Sequence, residues 1–284
     1  MTNQDVFTLI RSTYNSFTNT ERKVADYILD HTKEVIYLSI VDLADACGVG
    51  ESSVFRFCKT MKLKGYQEFR IVLAQSISPD EDTQELTSKI TMEDTLEEVS
   101  SKILTTNINA LTETQKLINE DDISEAISSM IMAERIHFFG VGASLMTAME
   151  AKNKFMRISN KTECSIDSHL QIMTAALMSE KDVAVLISYS GSTKDMIEVA
   201  KIAKKRAAKV ILITRFVKSP LTNYSDITLL CGANEGPLQG GSLSAKLAQL
   251  YLLDVLYAEY YRKTGQVSET NKERTSKAVI EKML

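Results

Sequence analysis

The feature that most constrains this chain is the segment 183–195, which reads Val-Ala-Val-Leu-Ile-Ser-Tyr-Ser-Gly-Ser-Thr-Lys-Asp. A short apolar run bounded by turn residues predicts a strand buried on both faces, and the residues that follow have a helical pattern. The junction places four serine and threonine hydroxyls around one glycine. Because a helix start also offers free backbone N–H groups, this junction predicts a binding site for a phosphorylated small molecule.

The pattern along the chain predicts two domains joined by a linker. Residues 1–77 have helical periodicity and contain no plausible strand, and residues 78–94 form a polar, acidic stretch that interrupts it. In residues 95–265, helices alternate with short apolar strands, and residues 266–284 form a charged C-terminal tail that we expect to be mobile at its end. We therefore predict an all-α domain followed by a three-layer α/β/α domain with a parallel sheet.

The second domain has enough periodicity for its elements to be placed one by one. The predicted strands are 135–139, 162–166, 183–188, 210–214 and 227–230. The predicted helices are 95–118, 122–132, 144–157, 168–178, 194–206 and 242–262.

Composition is ordinary for a globular protein. Of 284 residues, 44% are hydrophobic and 25% are charged. A net charge of −4 argues against a generally basic nucleic-acid coat but permits a local basic patch. No apolar run reaches the roughly 20 residues that a membrane helix needs. The N-terminus lacks a secretory pattern, so we expect a cytoplasmic protein without membrane contact.

The metal-binding and redox residues are few and scattered. Four cysteines lack a C-x-x-C pair, and three histidines are dispersed along the chain. We therefore expect reduced thiols, no metal centre and no cofactor.

The N-terminal domain contains a helix-turn-helix pattern. Thr18 and Glu21 have the spacing of a capping box before a first helix, and Ser39 and Asp42 repeat that signal before a short helix. A turn at Gly48 then leads to a second helix, predicted to start near residue 51 and to pack through Val54, Phe55, and Cys58 or Met61.

Charge indicates which face of this pattern would meet DNA. Residues 56–70 contain Arg56, Lys59, Lys62, Lys64 and Arg70 against one acid, Glu68, whereas the rest of the domain is acidic. Ser52 and Ser53 lie at the start of the second helix, and Arg56 is long enough to reach a base or a phosphate. A plain helical bundle with a solvated lysine face has the same spacing, and Arg56 could instead pair with Glu51.

Two loops in the second domain share the pattern of a phosphate site. The first is Gly140-Val-Gly-Ala-Ser144 and the second is Ser188-Tyr-Ser-Gly-Ser-Thr193. Glycines let the backbone approach a ligand closely, and hydroxyls donate to anionic oxygens. The predicted ligand-binding residues are Gly142, Ser144, Ser188, Ser190, Ser192, Thr193 and Glu235.

Other phosphate motifs fit these loops poorly. Neither loop ends in the Gly-Lys-Ser/Thr of a Walker motif, and Leu145 occupies the third glycine position of a dinucleotide fingerprint. Serine-rich turns that only cap helices remain the alternative interpretation. Two such turns, each after a buried strand, favour a ligand site.

An enzyme would need a placed acid or base. Asp167, His169 and Glu235 are the candidates near the predicted site, although His169 also fits a polar helix start. Glu235 lies in a glycine-rich loop and could hold a sugar hydroxyl instead. With the helix-turn-helix counted, we favour binding over catalysis.

These residues together resemble the RpiR-type family of bacterial transcription regulators, which have an N-terminal helix-turn-helix and a C-terminal sugar isomerase (SIS) domain of flavodoxin-like fold. The matching runs are 39–59 and 64–69 in the first domain, and 140–144, 188–194, 213–214, 219–221 and 247–254 in the second. The resemblance covers nearly the whole chain. The hydroxyl motif also occurs in SIS enzymes, so its combination with this helix-turn-helix is the more specific signal.

The resemblance implies roles for individual residues. Ser144, Ser188, Ser190 and Thr193 would hold the phosphate of a sugar phosphate. The predicted DNA-binding residues are Ser39, Ser52, Ser53, Arg56, Lys59, Lys62 and Lys64.

Two positions depart from the family pattern. Gly50 stands where the family commonly has serine at the cap of the recognition helix, so a possible phosphate contact is lost. Ala207 stands where glycine is usual, which we expect to change only the local turn.

The sequence therefore predicts a regulator of sugar or amino-sugar metabolism that is not an enzyme. It would bind double-stranded operator DNA as a homodimer or homotetramer, with a sugar phosphate as effector. The alternatives are a sugar-phosphate isomerase or lyase of the SIS fold, and a sugar-phosphate binder that regulates a partner protein. The identity of the sugar and the choice between repressor and activator have no signal in the sequence.

Overall fold

A computed structural model describes residues 6–77, 90–233 and 242–280. The described residues form two compact units, one up to Ile103 and one from Leu104. The division falls inside a long helix, α7 (Leu96–Leu117). The predicted linker lies mostly outside the described residues, so its limits and the other domain limits stay predictions.

The first unit is built from short helices around one apolar core. Its helices are α1 (Val6–Thr13), α2 (Asn19–Asp30), α3 (Thr32–Val35), α4 (Ile40–Ala46), α5 (Glu51–Thr60) and α6 (Tyr66–Ser76). Val24, Ile28, Leu43 and Phe69 are fully buried in that core. The helical periodicity seen in the sequence therefore marks the core side of these helices.

Both predicted capping boxes are confirmed. The Thr18 and Glu21 pair caps α2, and the Ser39 and Asp42 pair caps α4. Between α4 and α5, Gly48 adopts a positive φ of 61°, which glycine tolerates without strain. The helix-turn-helix is therefore set by local signals that the sequence displays.

The prediction that Phe55 packs in the core was wrong. Its side chain is 44% exposed, whereas Phe57 is fully buried. Val54, Phe57, Cys58 and Met61 follow the i, i+3, i+4, i+7 spacing of one helix face, and residue 55 falls outside that face.

The second unit contains a five-stranded parallel sheet in the order β2-β1-β3-β4-β5. The strands are β1 (Arg135–Phe139), β2 (Thr162–Cys164), β3 (Asp182–Ile187), β4 (Lys209–Thr214) and β5 (Ile227–Leu230). The helices are α8 (Glu120–Met132), α9 (Ala143–Phe155), α10 (Ser168–Leu177), α11 (Lys194–Lys205), α12 (Leu243–Thr264) and α13 (Gln266–Ile280). Each predicted strand is present, although β2 is shorter than predicted.

Helices cover both faces of the sheet, as predicted. Val183, Val185 and Ile187 pack with α8, α9 and α12 in one cluster. Ala184 and Leu186 pack with α10 and α11 in another. Alternate residues of β3 therefore face opposite helical layers, which explains why the strand is continuously apolar.

The C-terminal tail was predicted to be mobile at its end, and residues 281–284 lie outside the described residues. The described part of the tail is a helix. In α13, Ser268 is fully buried, Asn271 donates to the Ile158 carbonyl at 3.0 Å, and Thr275 donates to the Arg157 carbonyl at 3.0 Å. The Asn271 and Thr275 side chains satisfy carbonyls just beyond the end of α9. The polar sequence of α13 carries almost no apolar periodicity, so its pattern did not indicate a helix.

Candidate functional site

The strand order places both glycine and hydroxyl loops at one point of the sheet. The chain leaves β1 towards β2 on one side, and β3 continues towards β4 on the other. In doubly wound sheets the connections diverge at such a switch point and open a crevice at the carboxyl ends of the strands. The loops after β1 and β3 flank that point, so the predicted ligand residues in segments 140–144 and 188–193 converge there.

The first loop makes a sharp turn into α9. A Cβ on Gly140 would lie 2.7 Å from the Ser144 carbonyl oxygen, so only glycine fits there. Gly142 caps α9 with a φ of 57°, and a Cβ on Gly142 would meet nothing within 4 Å. The Ser144 side chain is half-buried in the first turn of the helix. The loop therefore presents an open backbone and one hydroxyl.

The second loop is packed much more tightly. Gly191 has a φ of 59°, and a Cβ there would lie 2.1 Å from the Ser219 hydroxyl oxygen. The Leu221 N–H donates to the Gly191 carbonyl at 3.0 Å, and the Thr214 hydroxyl donates to the Tyr189 carbonyl at 3.1 Å. The turn after β4 therefore supports the loop from behind and fixes its backbone.

The hydroxyls of the second loop differ in their partners. Ser188 is 3% exposed, and its hydroxyl has no hydrogen-bond partner among the described residues. The Ser192 N–H donates to the Ser190 hydroxyl at 3.3 Å, and the Ser192 hydroxyl donates to the Ser190 carbonyl at 3.1 Å. Thr193 precedes α11 without a side-chain capping bond. The loop thus has the donors expected of an anion site, beside the start of a helix.

Two of the candidate acid–base residues, Asp167 and His169, lie at the start of α10. The Asp167 carboxylate caps α10 and accepts from the N–H groups of His169 at 2.9 Å and Leu170 at 3.1 Å. The His169 side chain is exposed at the start of the same helix. Glu235 lies outside the described residues. Among the described residues, no cluster of histidine, cysteine or acidic side chains could hold a metal ion.

Two supports of the site carry no signal in the sequence. Gln171 is fully buried, and its amide donates to the carbonyls of Gly140 and Ser165, each at 2.9 Å. Arg215 follows β4, and its backbone N–H donates to the Tyr189 carbonyl at 3.1 Å. The guanidinium of Arg215 pairs with the Glu113 carboxylate of α7 at 2.8 Å. These contacts join residues distant in sequence, so no local pattern could reveal them.

The candidate DNA face lies on the outer side of α5. Ser52, Arg56 and Lys59 are exposed there at helical spacing. The Lys59 ammonium lies 5.2 Å from the centre of the exposed Phe55 ring. Lys62 and Lys64 are exposed in the turn between α5 and α6.

The remaining predicted DNA residues are less accessible. Ser39 is 4% exposed, and its hydroxyl is engaged in the capping box of α4. Ser53 is 5% exposed and accepts a hydrogen bond from Arg56 at 3.1 Å, so Arg56 contacts Ser53 rather than the Glu51 considered from the sequence. Counting Arg70 in the basic cluster was wrong. Its guanidinium is buried and donates to the Ile36 carbonyl at the end of α3.

The backbone at Lys62 is unusual for a lysine. Lys62 has a φ of 60°, and the Leu63 N–H donates to the Cys58 carbonyl at 2.9 Å. The Lys62 N–H donates to the Lys59 carbonyl at 2.9 Å, which completes the Schellman pattern that glycine usually ends. A lysine in this conformation costs roughly 1 kcal/mol relative to glycine.

Comparison with protein families and known proteins identifies both units. The family described as "Helix-turn-helix domain, rpiR family" matches residues 4–80, and the SIS domain family matches residues 129–259. An HTH-type transcriptional regulator of Caldanaerobacter subterraneus is 38% identical over 253 residues, which cover 89% of each chain. The HTH-type transcriptional regulator HexR of Pseudomonas aeruginosa is 34% identical over 247 residues, covering 87% of this chain and 86% of HexR.

A solved structure is similar over almost the whole chain. The Vibrio vulnificus NanR protein, complexed with ManNAc-6P, has a TM-score of 0.86 and 30% sequence identity. The match covers 98% of this chain and 100% of that chain.

Proposed function

Because the chain belongs to the RpiR family of helix-turn-helix transcriptional regulators, we propose that it binds operator DNA through α5 under the control of a sugar phosphate. The observation that carries the effector proposal is the convergence of two glycine and hydroxyl loops at the switch point between β1 and β3. Their donors suit a phosphate, and the helix starts beside them favour an anion.

The proposed phosphate contacts are the hydroxyls of the two loops. Ser190, Ser192 and Thr193 stand at the start of α11, and Ser144 stands at the start of α9. Ser188 supplies a hydroxyl without a partner among the described residues, which a ligand oxygen would satisfy. The NanR complex supports a phosphorylated amino sugar as the first compound to test.

The proposed DNA contacts come from the exposed face of α5 and the turn after it. Ser52 and Arg56 would reach base edges or phosphates, and Lys59, Lys62 and Lys64 would pair with phosphates. We retain Ser39 and Ser53 only as residues that shape this face, because their hydroxyls have partners within the unit. The strained backbone at Lys62 supports a functional reason for keeping a cation there.

The effector changes DNA affinity only if it binds two arrangements of the protein unequally. A homodimer would present two α5 helices, and both half-sites would be occupied when the helices lie about one DNA turn apart, roughly 34 Å. We propose that α7 carries the change, because Glu113 of α7 pairs with Arg215, whose N–H holds the second loop.

We also propose that the protein binds the sugar phosphate without turnover, in the cytoplasm where operator DNA lies. The observation that favours binding is that Asp167, a candidate base, is committed to capping α10. An SIS enzyme is the alternative. Every helix in the described part of the chain is too short or too polar to span a bilayer.

A two-part experiment tests the proposed function. Thermal shift of the full chain with a panel of sugar phosphates, starting with N-acetylmannosamine 6-phosphate, identifies the effector through stabilisation of the native state. A gel shift with the chain's own upstream promoter, with and without that compound, then measures control of DNA binding.

Two substitutions make the experiment specific. Arg56→Ala should weaken promoter binding and leave the thermal shift intact, whereas Ser190→Ala should do the reverse. Loss of both properties in either variant would indicate misfolding. Conversion of the sugar phosphate by the purified chain would favour the enzyme.

A further inference from the structure

Glu21 is a buried carboxylate that joins two helices of the first unit. It is 5% exposed, at the start of α2. One oxygen accepts from the Thr18 N–H at 2.8 Å and the Thr18 hydroxyl at 2.7 Å. The other accepts from the Thr60 hydroxyl at 2.8 Å. Thr60 is the last residue of α5, so a single carboxylate caps α2 and tethers the recognition helix.

The hydrogen bond between Glu21 and Thr60 gives α5 a directional restraint that the apolar core of the unit lacks. Val54, Phe57 and Cys58 hold α5 through apolar contacts, which resist separation but have no direction. A hydrogen bond has preferred distance and angle, so the Thr60 bond restricts rotation and sliding of α5 over α2. Base reading depends on that restriction, because a side chain on the helix must meet one base edge.

The charge of Glu21 also acts on the DNA face. Burial would raise the pKa of Glu21, but hydrogen bonds from Thr18 and Thr60, with the positive charge of Arg56, hold it below its ordinary value. The carboxylate is therefore negative at neutral pH and attracts Arg56, which lies one helical turn before Thr60. Arg56 also donates to the Ser53 hydroxyl at 3.1 Å. The Ser53 hydroxyl thus orients a side chain that is otherwise exposed.

We propose that Glu21 is a positioning residue for DNA recognition: it fixes α5, the helix that carries Arg56, so that it raises specificity for the operator rather than affinity for DNA. The inference rests on the proposed function, because it concerns how the proposed DNA-binding face of α5 is held in position. Its signature is a pair of effects with opposite sign. The carboxylate orders the reading helix, while its negative charge repels nearby phosphates.

The experiment measures full-chain binding to two duplexes of equal length, the upstream promoter and a scrambled sequence, at several salt concentrations. Glu21→Gln should lower the ratio of promoter to scrambled affinity about tenfold, as expected for loss of one oriented contact. It should also raise affinity for scrambled DNA about twofold at low salt.

Two further variants separate the tether from the charge. Thr60→Val removes the hydrogen bond and keeps the carboxylate, so the ratio should fall several-fold while scrambled affinity stays unchanged. Thr60→Ser keeps the hydroxyl and is the matched control, with a ratio within about twofold of the original chain. If Glu21→Gln does not fold, the threonine pair carries the test alone.

Three results are decisive. An unchanged ratio in folded Thr60→Val overturns the inference, and so does an equal fall in Thr60→Ser. If the original chain itself fails to distinguish the two duplexes, the proposed function fails, and the Glu21 role falls with it.

Discussion

The two candidate sites hold their functional groups in opposite ways. The DNA face presents long, charged side chains from the exposed surface of α5, and the groups that orient them lie within the same unit. The candidate phosphate site formed by residues 140–144 and 188–193, called the cradle below, presents short hydroxyls, and Ser188 among them is almost completely buried. Its position depends on backbone geometry at the ends of β1 and β3.

The difference follows from the ligands. Phosphates of a duplex attract cations over roughly 10 Å at ordinary salt, so long mobile side chains suffice. A small phosphorylated molecule must be met by several short hydrogen bonds at once, which needs a rigid backbone. Substitutions should therefore affect the cradle through its backbone and the DNA face through its charge.

The largest effect should come from the backbone of the cradle. Gly191→Ala forces a Cβ into the Ser219 hydroxyl as well as straining a positive φ. We expect a loss of about 2–4 kcal/mol in the free energy of unfolding and no thermal shift with the effector. Chemical denaturation measures the first and effector titration the second.

Gly142→Ala is the matched control for that prediction. Its φ is also positive, but a Cβ there meets nothing within 4 Å. The loss should be about 1–2 kcal/mol, from backbone strain alone. Equal losses in the two variants would show that the packing behind the second loop does not matter.

The next effect concerns the link between the two functions. Glu113→Gln removes the charge that pairs with Arg215 at 2.8 Å. We expect effector and DNA each to bind nearly as before, while the change in DNA affinity caused by the effector falls about fivefold, near 1 kcal/mol of coupling. Gel shifts with and without effector give this coupling directly.

Glu125→Gln provides the comparison for Glu113. Glu125 pairs with Lys209 at 2.7 Å on the same unit but has no contact with the second loop. Coupling should stay within about twofold of the original chain in this variant. A similar fall in both variants would assign the effect to surface charge and would contradict a role for α7.

A third prediction compares two helix ends that lack glycine. Lys62 and Ala207 both have a φ of 60° at the end of a helix, where glycine is the relaxed choice. Lys62→Gly and Ala207→Gly should each stabilise the chain by about 1 kcal/mol. Only Lys62→Gly should weaken DNA binding and reduce its salt dependence. Unchanged DNA binding in Lys62→Gly would remove Lys62 from the interface.

The smallest expected effect is a difference between the two units in the pH at which each loses stability. Burial lowers the pKa of His137 below its ordinary 6.5, against the charges of Glu163 and Asp182. The unfolded chain therefore binds the proton first, so stability is full above pH 6.5 and falls as pH drops below it. The lowered pKa of Glu21 acts in the same direction, but only below its ordinary 4.5.

Melting temperatures at pH 7 and pH 5.5 check this prediction. Across that range His137→Asn should lose less stability than the original chain, and Glu21→Gln should lose as much as the original chain. An identical fall for His137→Asn would mean that the imidazole keeps its ordinary pKa.

The outcome of the sequence predictions depended on how local the signal was. Each capping box indicates a helix start within four residues of sequence. Both predicted boxes, Thr18 with Glu21 and Ser39 with Asp42, are present in the structure. The strand at residues 183–187 is recognisable because burial on both faces removes every polar residue from it. Phe55 and Phe57 lie two residues apart on α5, and packing against the other helices determined which of them is buried.

Long-range contacts explain the structural features that the sequence did not predict. Arg70 belongs to a basic run in the sequence, yet its guanidinium is buried and donates a hydrogen bond to the Ile36 carbonyl at the end of α3. Gln171, Ser219 and the Glu113–Arg215 pair shape the cradle from distant parts of the chain. Hydrogen bonding to backbone carbonyls leaves no periodicity in sequence, and such bonds appear only once the elements are packed.

By itself the sequence determined the two-part organisation, the helix-turn-helix, the alternating strands and helices, and the two loops with their glycines and hydroxyls. Each of these rests on interactions within a few residues or on the periodicity of burial. Only the tertiary structure decided that the loops after β1 and β3 meet at one switch point, and that one carboxylate at Glu21 links α2 to α5. Those outcomes depend on strand order and helix packing, which join residues far apart in the chain.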